Sequence, residues 1–314
     1  MNGADPTADA VIAVVVSYFP DADFRSRVRK LAEEVDCILV VDNGDTGRLK
    51  TAVLQDCSDL ALEIISNGGN LGIARALNIG VDRARALGAR WVATFDQDSE
   101  IVPGYRNHML QAWRGFPERR AVALLTPVHR HKSLEDAVSA HGASDAGSRE
   151  QPREVRSAMT SGNFVPCTTY DLAGPYREDF VIDYVDHEFC LRCRKAGLRI
   201  VEVPNAVLHH QLGCIRRESL GPIAATVTHH DEMRRYFITR NRMSVWRLYA
   251  SVDPLWVMAD MVGSAKDLIK ILLFEERKAT KLRCAFLGMV DAMRSRMGWG
   301  SMWKWRFPGR AKAG

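Results

Sequence analysis

Two aspartates one residue apart, Asp96 and Asp98, follow directly after the apolar run Trp91–Phe95. Apolar strand ends usually give way to Gly, Asn or Ser, so a pair of carboxylates here requires a chemical explanation. In an extended strand exit, residues i and i+2 point the same way, and both carboxylates would face one divalent cation. Hard cations such as Mg²⁺ and Mn²⁺ prefer oxygen ligands and would neutralise a diphosphate leaving group. The alternative is a solvated turn whose aspartates cap backbone amides.

Three further polar segments follow apolar runs and would meet these aspartates at one edge of a sheet, because ligands bind at the carboxyl ends of parallel strands. They are Ser17–Pro20, Asp42–Gly47 and Asn67–Asn78. In the last of them, Gly72 would begin a helix with Arg75 one turn in, which favours an anion. A plain helix start with a surface arginine is the alternative. The Asp42 carboxylate could accept hydrogen bonds from a base or ribose, or it could form an Asx-turn.

Asp186 is a candidate general base. It lies near the start of a helix predicted from about Asp186 to Ala196 and closed by Gly197. Facing a cleft, its carboxylate could deprotonate an incoming hydroxyl. An acid at this position could equally cap the helix and interact with its dipole, and the residues alone leave both interpretations open.

The elements that must position these residues alternate between strand and helix. Five short apolar runs predict strands, namely Val11–Val16, Cys37–Val41, Leu62–Ile65, Trp91–Phe95 and Ala121–Leu125. Continuous apolar strands of this length suit a parallel sheet that is covered on both faces. Helical stretches at Phe24–Val35 and Ile73–Leu87 fall between them. The first half therefore predicts an α/β sheet of the nucleotide-binding type.

The second half is more varied. Residues 131–156 are rich in Ser, Asp, Ala, Gly and Arg, which predicts a surface loop. A strand is predicted at Ile200–Val203, and the pattern beyond Met233 is helical. From Arg234 to Gly314 there are 17 Lys and Arg against 6 Asp and Glu, whereas the preceding residues have an acidic balance. An anionic partner is therefore expected at the C-terminal segment.

Two stretches of this segment, Lys266–Lys278 and Trp299–Arg310, mix basic residues with Trp, Phe and Leu. This composition suits an anionic membrane surface, or a helical pair that packs on the domain or on another subunit. A nucleic-acid-binding module is the non-enzyme alternative, but no nucleic-acid motif accompanies the charge. The first strand is not followed by G-x-G-x-x-G, which argues against a dinucleotide-binding dehydrogenase.

Seven cysteines, an odd number with several inside apolar runs, indicate a reduced chain with a cytoplasmic location. The spacing Cys190-x-x-Cys193, with His209, His210 and Cys214 downstream, raises the question of zinc. The two cysteines lie inside the predicted helix without the turn of a zinc knuckle, so packing thiols are favoured. The sequence predicts neither a secretory signal nor a membrane span.

Seven segments occur in a fixed order between Val11 and Arg242: DNGD, NGGNLGIARALNIG, TFDQDS, TSGN, FVIDYVDHEFCLRCRKAGLRI, HHQLG and RRYFITRNR. They resemble family-2 glycosyltransferases of the GT-A fold and, more narrowly, bacterial rhamnosyltransferases of polysaccharide and O-antigen assembly. The resemblance implies an α/β fold, with a Rossmann-like, mainly parallel mixed sheet flanked by helices. A basic amphipathic helical segment would follow it.

The resemblance implies a metal site and a base pocket. Asp98 would be the main metal ligand, and Asp96 would contact the metal or the ribose. His210 occupies the position of a histidine that completes the metal shell in some relatives, and the adjacent His209 leaves the choice between the two open. Asp42 would hydrogen-bond the pyrimidine. The residues lining its pocket would be Ser17 and Tyr18.

The resemblance also implies the diphosphate site and the base. Asn70 and Gly72 would bind the nucleotide, and Arg75 would approach the diphosphate. Asp186 aligns with the catalytic aspartate of a Glu-Asp motif, although Val185 stands where many relatives have Glu.

The implied activity is an inverting, metal-dependent transfer of L-rhamnose from dTDP-rhamnose to a cell-surface polysaccharide or lipid-linked saccharide. Mg²⁺ or Mn²⁺ would be the cofactor, and the enzyme would be cytoplasmic, peripheral on the inner face of the membrane. UDP-galactofuranose or a UDP-hexose is the alternative donor. We expect a GT-A domain at 1–233, with its nucleotide half at about 10–100 and its acceptor half at about 101–233. Residues 234–314 would be the helical segment, a membrane-surface or homo-oligomer contact.

Overall fold

The computed structural model describes residues 9–44, 57–131, 151–210, 215–220, 223–228 and 230–302, together with Gly47 and Leu49. The chain divides into two compact units. The first comprises Met1–Tyr176 and Arg192–Gln211, and the second Arg177–Leu191 and Leu212–Gly314.

Strands and helices alternate through the first part of the first unit, as predicted. In chain order they are β1 (Val11–Ser17), α1 (Phe24–Ala32), β2 (Cys37–Asp42), β3 (Leu62–Ser66), α2 (Ile73–Ala86) and β4 (Trp91–Asp96). The four strands and two helices predicted here are confirmed, with boundaries that differ by at most a few residues. The strands form where β-branched and apolar residues are continuous, since such side chains fit a sheet buried on both faces.

The later elements complete this unit. They are β5 (Glu100–Ile101), α3 (Tyr105–Gly115), β6 (Val122–His131), β7 (Arg153–Val155), β8 (Asn163–Pro166), α4 (Cys167–Ala173) and β9 (Arg199–His210). The predicted loop at 131–156 is corrected at both ends, because β6 extends to His131 and β7 forms within it. Charged residues obscured β7, which is an edge strand paired with β9. Residues 132–150 lie outside the described residues.

The described strands of the first unit form one mixed sheet. Its order is β3-β2-β1-β4-β8-β6-β9-β5, and β7 also pairs with β9. The strands β3, β2, β1 and β4 are parallel, whereas β8 runs antiparallel to β4 and β6. The predicted α/β fold with a mainly parallel, helix-flanked sheet is confirmed.

Both faces of the sheet are covered. Val11, Ala13 and Val15 of β1 point into a core that includes residues of α1 and α3. The opposite face carries α2 at close range, because a Cβ atom added to Gly80 would lie 2.3 Å from Val14 Cγ1. Only a glycine allows α2 to approach the sheet this closely.

The second unit is mainly helical. Helix α5 (Val185–Lys195) has its N-terminal part in this unit, and the hairpin β10 (Ile215–Leu220) and β11 (Ile223–Thr228) follows. Three long helices complete the unit: α6 (Glu232–Tyr249), α7 (Pro254–Phe274) and α8 (Lys278–Met293). Among the described residues, none of the helices combines the length and the apolar character needed to cross a bilayer.

The unit boundary differs from the domain boundary expected at residue 233. Residues 177–191 group with the C-terminal helices, because Arg240 and Asn241 of α6 bond their backbone carbonyls. These contacts link residues about sixty positions apart, so no local sequence pattern indicated them.

Candidate active site

The strand register brings the predicted site residues of the first unit to one edge of the sheet. Ser17 pairs with Asp42, and Asp42 pairs with Ser66 on the next strand. On the other side of β1, Asp96 pairs with Val16. The predicted convergence of these strand ends is therefore observed. It lies at the switch point between β1 and β4, where open α/β sheets bind ligands.

A buried hydrogen bond joins the ends of β1 and β2. The Ser17 hydroxyl donates to Asp42 Oδ1 at 2.9 Å, and the Gly44 N–H donates to the same oxygen at 3.1 Å. The exposed fractions are 0% for Ser17 and 1% for Asp42. The Asx-turn considered for Asp42 is thus present. Next to this pair, Tyr18 is half exposed and packs edge-to-face on Phe19.

An asparagine network holds the loop that precedes α2. Asn43 accepts a hydrogen bond from Asn67 Nδ2 at 2.7 Å and donates to the Gly72 carbonyl at 3.2 Å. The Gly72 N–H donates to Asn70 Oδ1 at 2.9 Å. Gly72 has φ of 90°, a conformation that glycine adopts without strain. Arg75 lies one turn into α2 and is exposed, so this helix start has the features of an anion site.

The Asp96–Ser99 segment is a turn held by Ser161. The Ser99 N–H donates to the Asp96 carbonyl at 3.2 Å, and the Asp96 N–H donates to Ser161 Oγ at 3.0 Å. The hydroxyls of Ser99 and Ser161 are 2.6 Å apart. Because β4 ends at Asp96, Asp98 lies in the turn, and strand alternation does not set its direction. This corrects the extended geometry assumed from the sequence.

Gln97, between the two aspartates, connects this turn to the end of β1. Its Oε1 accepts from the Tyr18 N–H at 2.7 Å, and its Nε2 donates to the Tyr18 carbonyl at 3.2 Å. The Gln97 carbonyl accepts from Arg27 Nε at 2.8 Å. The aspartate turn and the Tyr18 loop are therefore held in one arrangement.

The aspartate turn suits a hard divalent cation. Asp96 and Asp98 supply carboxylate oxygens, and both are half-buried at the sheet edge. Within the described part of the chain, no group of three or more His, Cys, Asp or Glu side chains could hold a metal. Proteins commonly bind Mg²⁺ through one or two carboxylates together with substrate phosphates. His210 ends β9, and its side chain lies outside the described part.

Asp186 lies in the first turn of α5, in the second unit. It is half-buried, and its Oδ1 accepts from the His187 N–H at 2.7 Å. Val181, Asp183 and Tyr184 just before it have φ of 66°, 62° and 63°. Non-glycine residues in this region are strained and persist only where the surroundings hold them.

Two buried side chains of α6 hold that strained segment. Arg240 Nη2 donates to the carbonyls of Asp179 and Phe180 at 3.0 and 3.1 Å. Asn241 Nδ2 lies 2.9 Å from the carbonyls of Phe180 and Ile182. The Arg240 guanidinium also lies over the Phe237 ring, and burial lowers its pKa. The carbonyl oxygens and the nearby carboxylates of Asp179 and Asp291 stabilise its charge.

Asp186 lines a charged cavity of about 360 Å³ within the second unit. This volume is in the range of small-molecule sites. Arg234 of its wall pairs with Asp183 at 2.6 Å, and Arg242 pairs with Asp267 at 3.0 Å. Burial, followed by the charges of Arg234 and Arg235, lowers the pKa of His230 in this wall to about 4.

Four residues that hold the site were not predicted from the sequence: Ser161, Gln97, Arg240 and Asn241. The first and the last two lie in TSGN and RRYFITRNR, motifs that contributed to the family resemblance. Gln97 is the middle residue of DQD. The motifs marked these positions, but only the three-dimensional contacts show what the side chains do.

A family model for glycosyl transferase family 2 matches residues 6–143. Over 299 residues the chain is 27% identical to the dTDP-rhamnosyl transferase RfbF of Shigella flexneri, an alignment that covers 92% of this chain and 97% of RfbF.

Two solved structures are similar. GalNAc-T7 with UDP, GalNAc and Mn²⁺ superposes with a TM-score of 0.57 at 10% identity. The match covers 78% of this chain and 49% of GalNAc-T7, so this chain spans about half the length of that protein. Staphylococcus aureus TarS 1-349 in complex with UDP-GlcNAc gives a TM-score of 0.48 at 13% identity, over 95% of this chain and 76% of TarS.

The GalNAc-T7 superposition supports the GT-A fold at a low sequence identity. The family match covers the strands and turns that form the sheet edge, and the similarity to RfbF extends along nearly the whole chain. The chain is a glycosyltransferase, and its residues 6–143 match the model of glycosyl transferase family 2.

Proposed function

We propose that the protein transfers L-rhamnose from dTDP-rhamnose to a cell-surface polysaccharide or lipid-linked saccharide, with inversion at the anomeric carbon. The observation that supports this most is the register that places Ser17, Asp42 and Asp96 at one edge of the sheet. The choice of donor rests on the similarity to a dTDP-rhamnosyl transferase along nearly the whole chain.

The nucleotide would bind across the ends of β1 and β2. Asp42, fixed by Ser17, would accept a hydrogen bond from the pyrimidine, and the half-exposed Tyr18 would lie against the base. The diphosphate would lie at the start of α2, because Gly72 lets the backbone approach closely and Arg75 adds a positive charge. Asn70 would hold that loop through its bond to the Gly72 N–H.

Asp96 and Asp98 would hold Mg²⁺ or Mn²⁺, with His210 as a further ligand, and the ion would neutralise charge on the departing diphosphate. Gln97 and Ser161 keep the aspartate turn in place through the backbone bonds described above. Their contribution would be to preorganise the turn for the ion and the diphosphate.

Asp186 would act as the general base. Its carboxylate takes the proton of an acceptor hydroxyl, and the hydroxyl oxygen forms a bond to the anomeric carbon as the bond to the diphosphate breaks. Attack opposite the leaving group inverts the anomeric centre. The contacts of Arg240 and Asn241 would hold Asp186 in a fixed orientation, which raises the rate by positioning.

Substitution of each aspartate tests this proposal. We expect Asp186→Asn to lower kcat by about 10²–10⁴-fold, the range for loss of a general base, without changing dTDP affinity. Asp98→Asn should remove the dependence of donor binding on Mn²⁺. Asp171→Asn is the matched control, because Asp171 is a surface carboxylate paired with Arg85, and it should behave as wild type.

Calorimetric titration with dTDP and with UDP tests the donor. Tighter binding of dTDP is expected, and a preference for UDP would favour UDP-galactofuranose or a UDP-hexose instead. Full transfer activity in Asp186→Asn would remove the assignment of the base.

A further inference from the structure

Helix α7 presents an apolar surface along its whole length. Eight large apolar side chains on it are 38–64% exposed: Leu255, Met258, Met261, Val262, Leu268, Ile269, Leu272 and Leu273. They recur at three- and four-residue intervals, with the exposed Ala265 between Val262 and Leu268, so they form one stripe, which we name the α7 stripe. Lys266 is the only charged residue among the exposed positions of this helix.

The opposite side of α7 is fixed to its own unit by two acids. Asp260 accepts hydrogen bonds from Tyr184 Oη and Trp246 Nε1, both at 2.7 Å. Asp267 accepts from Arg242 at 3.0 Å. Val257 and Ile271 are the buried apolar residues of the helix. A rotation that buried the α7 stripe would break these bonds, so the stripe has to face outwards.

An exposed stripe of this size indicates a binding surface. Monomeric proteins seldom expose contiguous apolar patches larger than a few hundred Å², and larger ones mark interaction sites. Helix α7 has 21 residues. It is therefore about 31 Å long at a rise of about 1.5 Å per residue. The apolar side chains cover one face of that length, which is the pattern of a helix that lies in a bilayer surface and does not cross it.

The charges near the stripe favour anionic lipid over a second copy of the chain. Lys266 lies among its residues, and Arg277 and Lys278 are exposed just after the C-terminal end of α7. Glu276 is the single exposed acid between Lys266 and Lys278. A symmetric dimer with parallel α7 helices would bring the same cations of both copies together, where they repel, and α7 exposes no acid that could pair with Lys266 of a second copy. Lipid headgroups that carry phosphate would attract them.

We propose that the α7 stripe inserts into an anionic membrane surface. A consequence for the acceptor rests on the proposed function of Asp186. Asp267 and Lys270 of α7 line the same cavity as Asp186. An acceptor anchored in the bilayer would therefore reach the base alongside the helix that binds the membrane.

Sedimentation with lipid vesicles tests the membrane surface. We expect the protein to sediment with vesicles of phosphatidylcholine and phosphatidylglycerol, less with phosphatidylcholine alone, and less at high salt. The double variant Leu268→Glu, Leu272→Glu should bind at least about tenfold more weakly, because it places charge in the apolar layer. The matched control is Leu172→Glu, since Leu172 of α4 is 63% exposed but lies outside the stripe. It should bind as wild type.

Three results would overturn the inference. They are no vesicle binding by the wild type, an equal loss of vesicle binding in Leu172→Glu and the double variant, or a dimer in sedimentation velocity that becomes monomeric in the double variant. The last would identify a second copy as the occupant. Thermal unfolding of each variant checks that it folds.

Failure of this inference and failure of the proposed function give different results. If dTDP binding and Asp186-dependent transfer occur but vesicles are not bound, only the membrane surface is wrong. If vesicles are bound but Asp186→Asn keeps full activity, the role of Asp186 is wrong and the membrane surface stands. Better transfer to lipid-linked than to free saccharide would support the acceptor class, and the reverse preference would exclude it.

Discussion

Asn241 holds the backbone of Asp183 through a hydrogen bond of 2.8 Å from its side-chain amide to the Asp183 carbonyl, three residues before Asp186. The same amide reaches two other carbonyls of a segment with left-handed backbone at Val181, Asp183 and Tyr184. Each such residue costs about 1–3 kcal/mol, which the surrounding contacts must offset. The orientation of α5 at its first turn therefore depends on α6.

We expect Asn241→Ala to reduce transfer at least about tenfold while leaving dTDP affinity unchanged. The Phe180 carbonyl keeps its bond from Arg240. The carbonyls of Ile182 and Asp183 lose their amide donor, at a cost of about 1–3 kcal/mol for each one that stays buried and unsatisfied. Steady-state kinetics measures transfer, dTDP titration measures donor affinity, and urea unfolding measures the loss of stability. Thr239→Ala, on the same helix, is the control, because its hydroxyl bonds only within α6 to the Arg235 carbonyl. An equal loss of transfer in that control would contradict the positioning role.

Gln97→Ala is predicted to weaken donor binding by about tenfold, a loss of about 1.4 kcal/mol. The change removes both hydrogen bonds to Tyr18 and releases the link between the aspartate turn and the end of β1. Titration with dTDP and Mn²⁺ measures the effect. Gln97→Glu keeps an acceptor for the Tyr18 N–H but loses the donor to the Tyr18 carbonyl. Because the new carboxylate oxygen would repel that carbonyl oxygen, this variant should not restore donor binding. Unchanged affinity in both variants would show that the link is dispensable.

Ser17→Ala should lower the free energy of unfolding by about 1–2 kcal/mol, because Asp42 then loses a buried hydroxyl donor. Donor affinity should fall as well, since Asp42 is then less firmly held. Chemical denaturation and dTDP titration measure both effects. Ser66→Ala provides the comparison, because Ser66 is exposed at the same edge of the sheet. A similar loss of stability there would argue against a special role for the buried pair.

The lowered pKa of His230 should make the stability of the protein depend on pH. Its pKa in the folded protein is about 4, below the usual 6.5, because of burial and the charges of Arg234 and Arg235. Asp183 and Glu275 oppose the shift without cancelling it. Protonation therefore favours the unfolded chain, and stability present above pH 6.5 is lost as the pH falls towards 4.

With allowance for its partial exposure, the contribution of His230 should be about 1–2 kcal/mol. Urea denaturation from pH 4 to 7, compared between wild type and His230→Gln, isolates it from the carboxylates that titrate in the same range. The difference in unfolding free energy between the two proteins should change over this interval. A constant difference would exclude His230 as the cause.

The parallel part of the fold could be predicted from sequence because its signals are local. The runs at Val11–Val16 and Trp91–Phe95 are apolar and β-branched or aromatic, so each indicates a buried strand without reference to the rest of the chain. Once those strands are parallel, their polar ends must share one edge. The positions of Asp42 and Asp96 at this edge could therefore be predicted from the sequence.

The supports of the site could not be predicted in this way. Ser161 bonds the N–H of Asp96 from a position 65 residues away, and Asn241 bonds carbonyls about sixty residues before it. Neither contact leaves a periodic pattern in the sequence. The turn at Asp98 was also missed, because the alternation expected for an extended strand stops where the backbone bends.

Gly80 gives the first unit a constraint that is remote from any ligand. With no side chain there, α2 lies directly on Val14 and Val41, and this contact sets how far Arg75 stands above the end of β1. Even one added methyl group would push the helix outwards and change the span between that guanidinium and the carboxylates of the aspartate turn. Libraries built to alter donor preference should therefore keep position 80 unchanged, since substitutions there would move Arg75 and disturb the proposed diphosphate site from a distance.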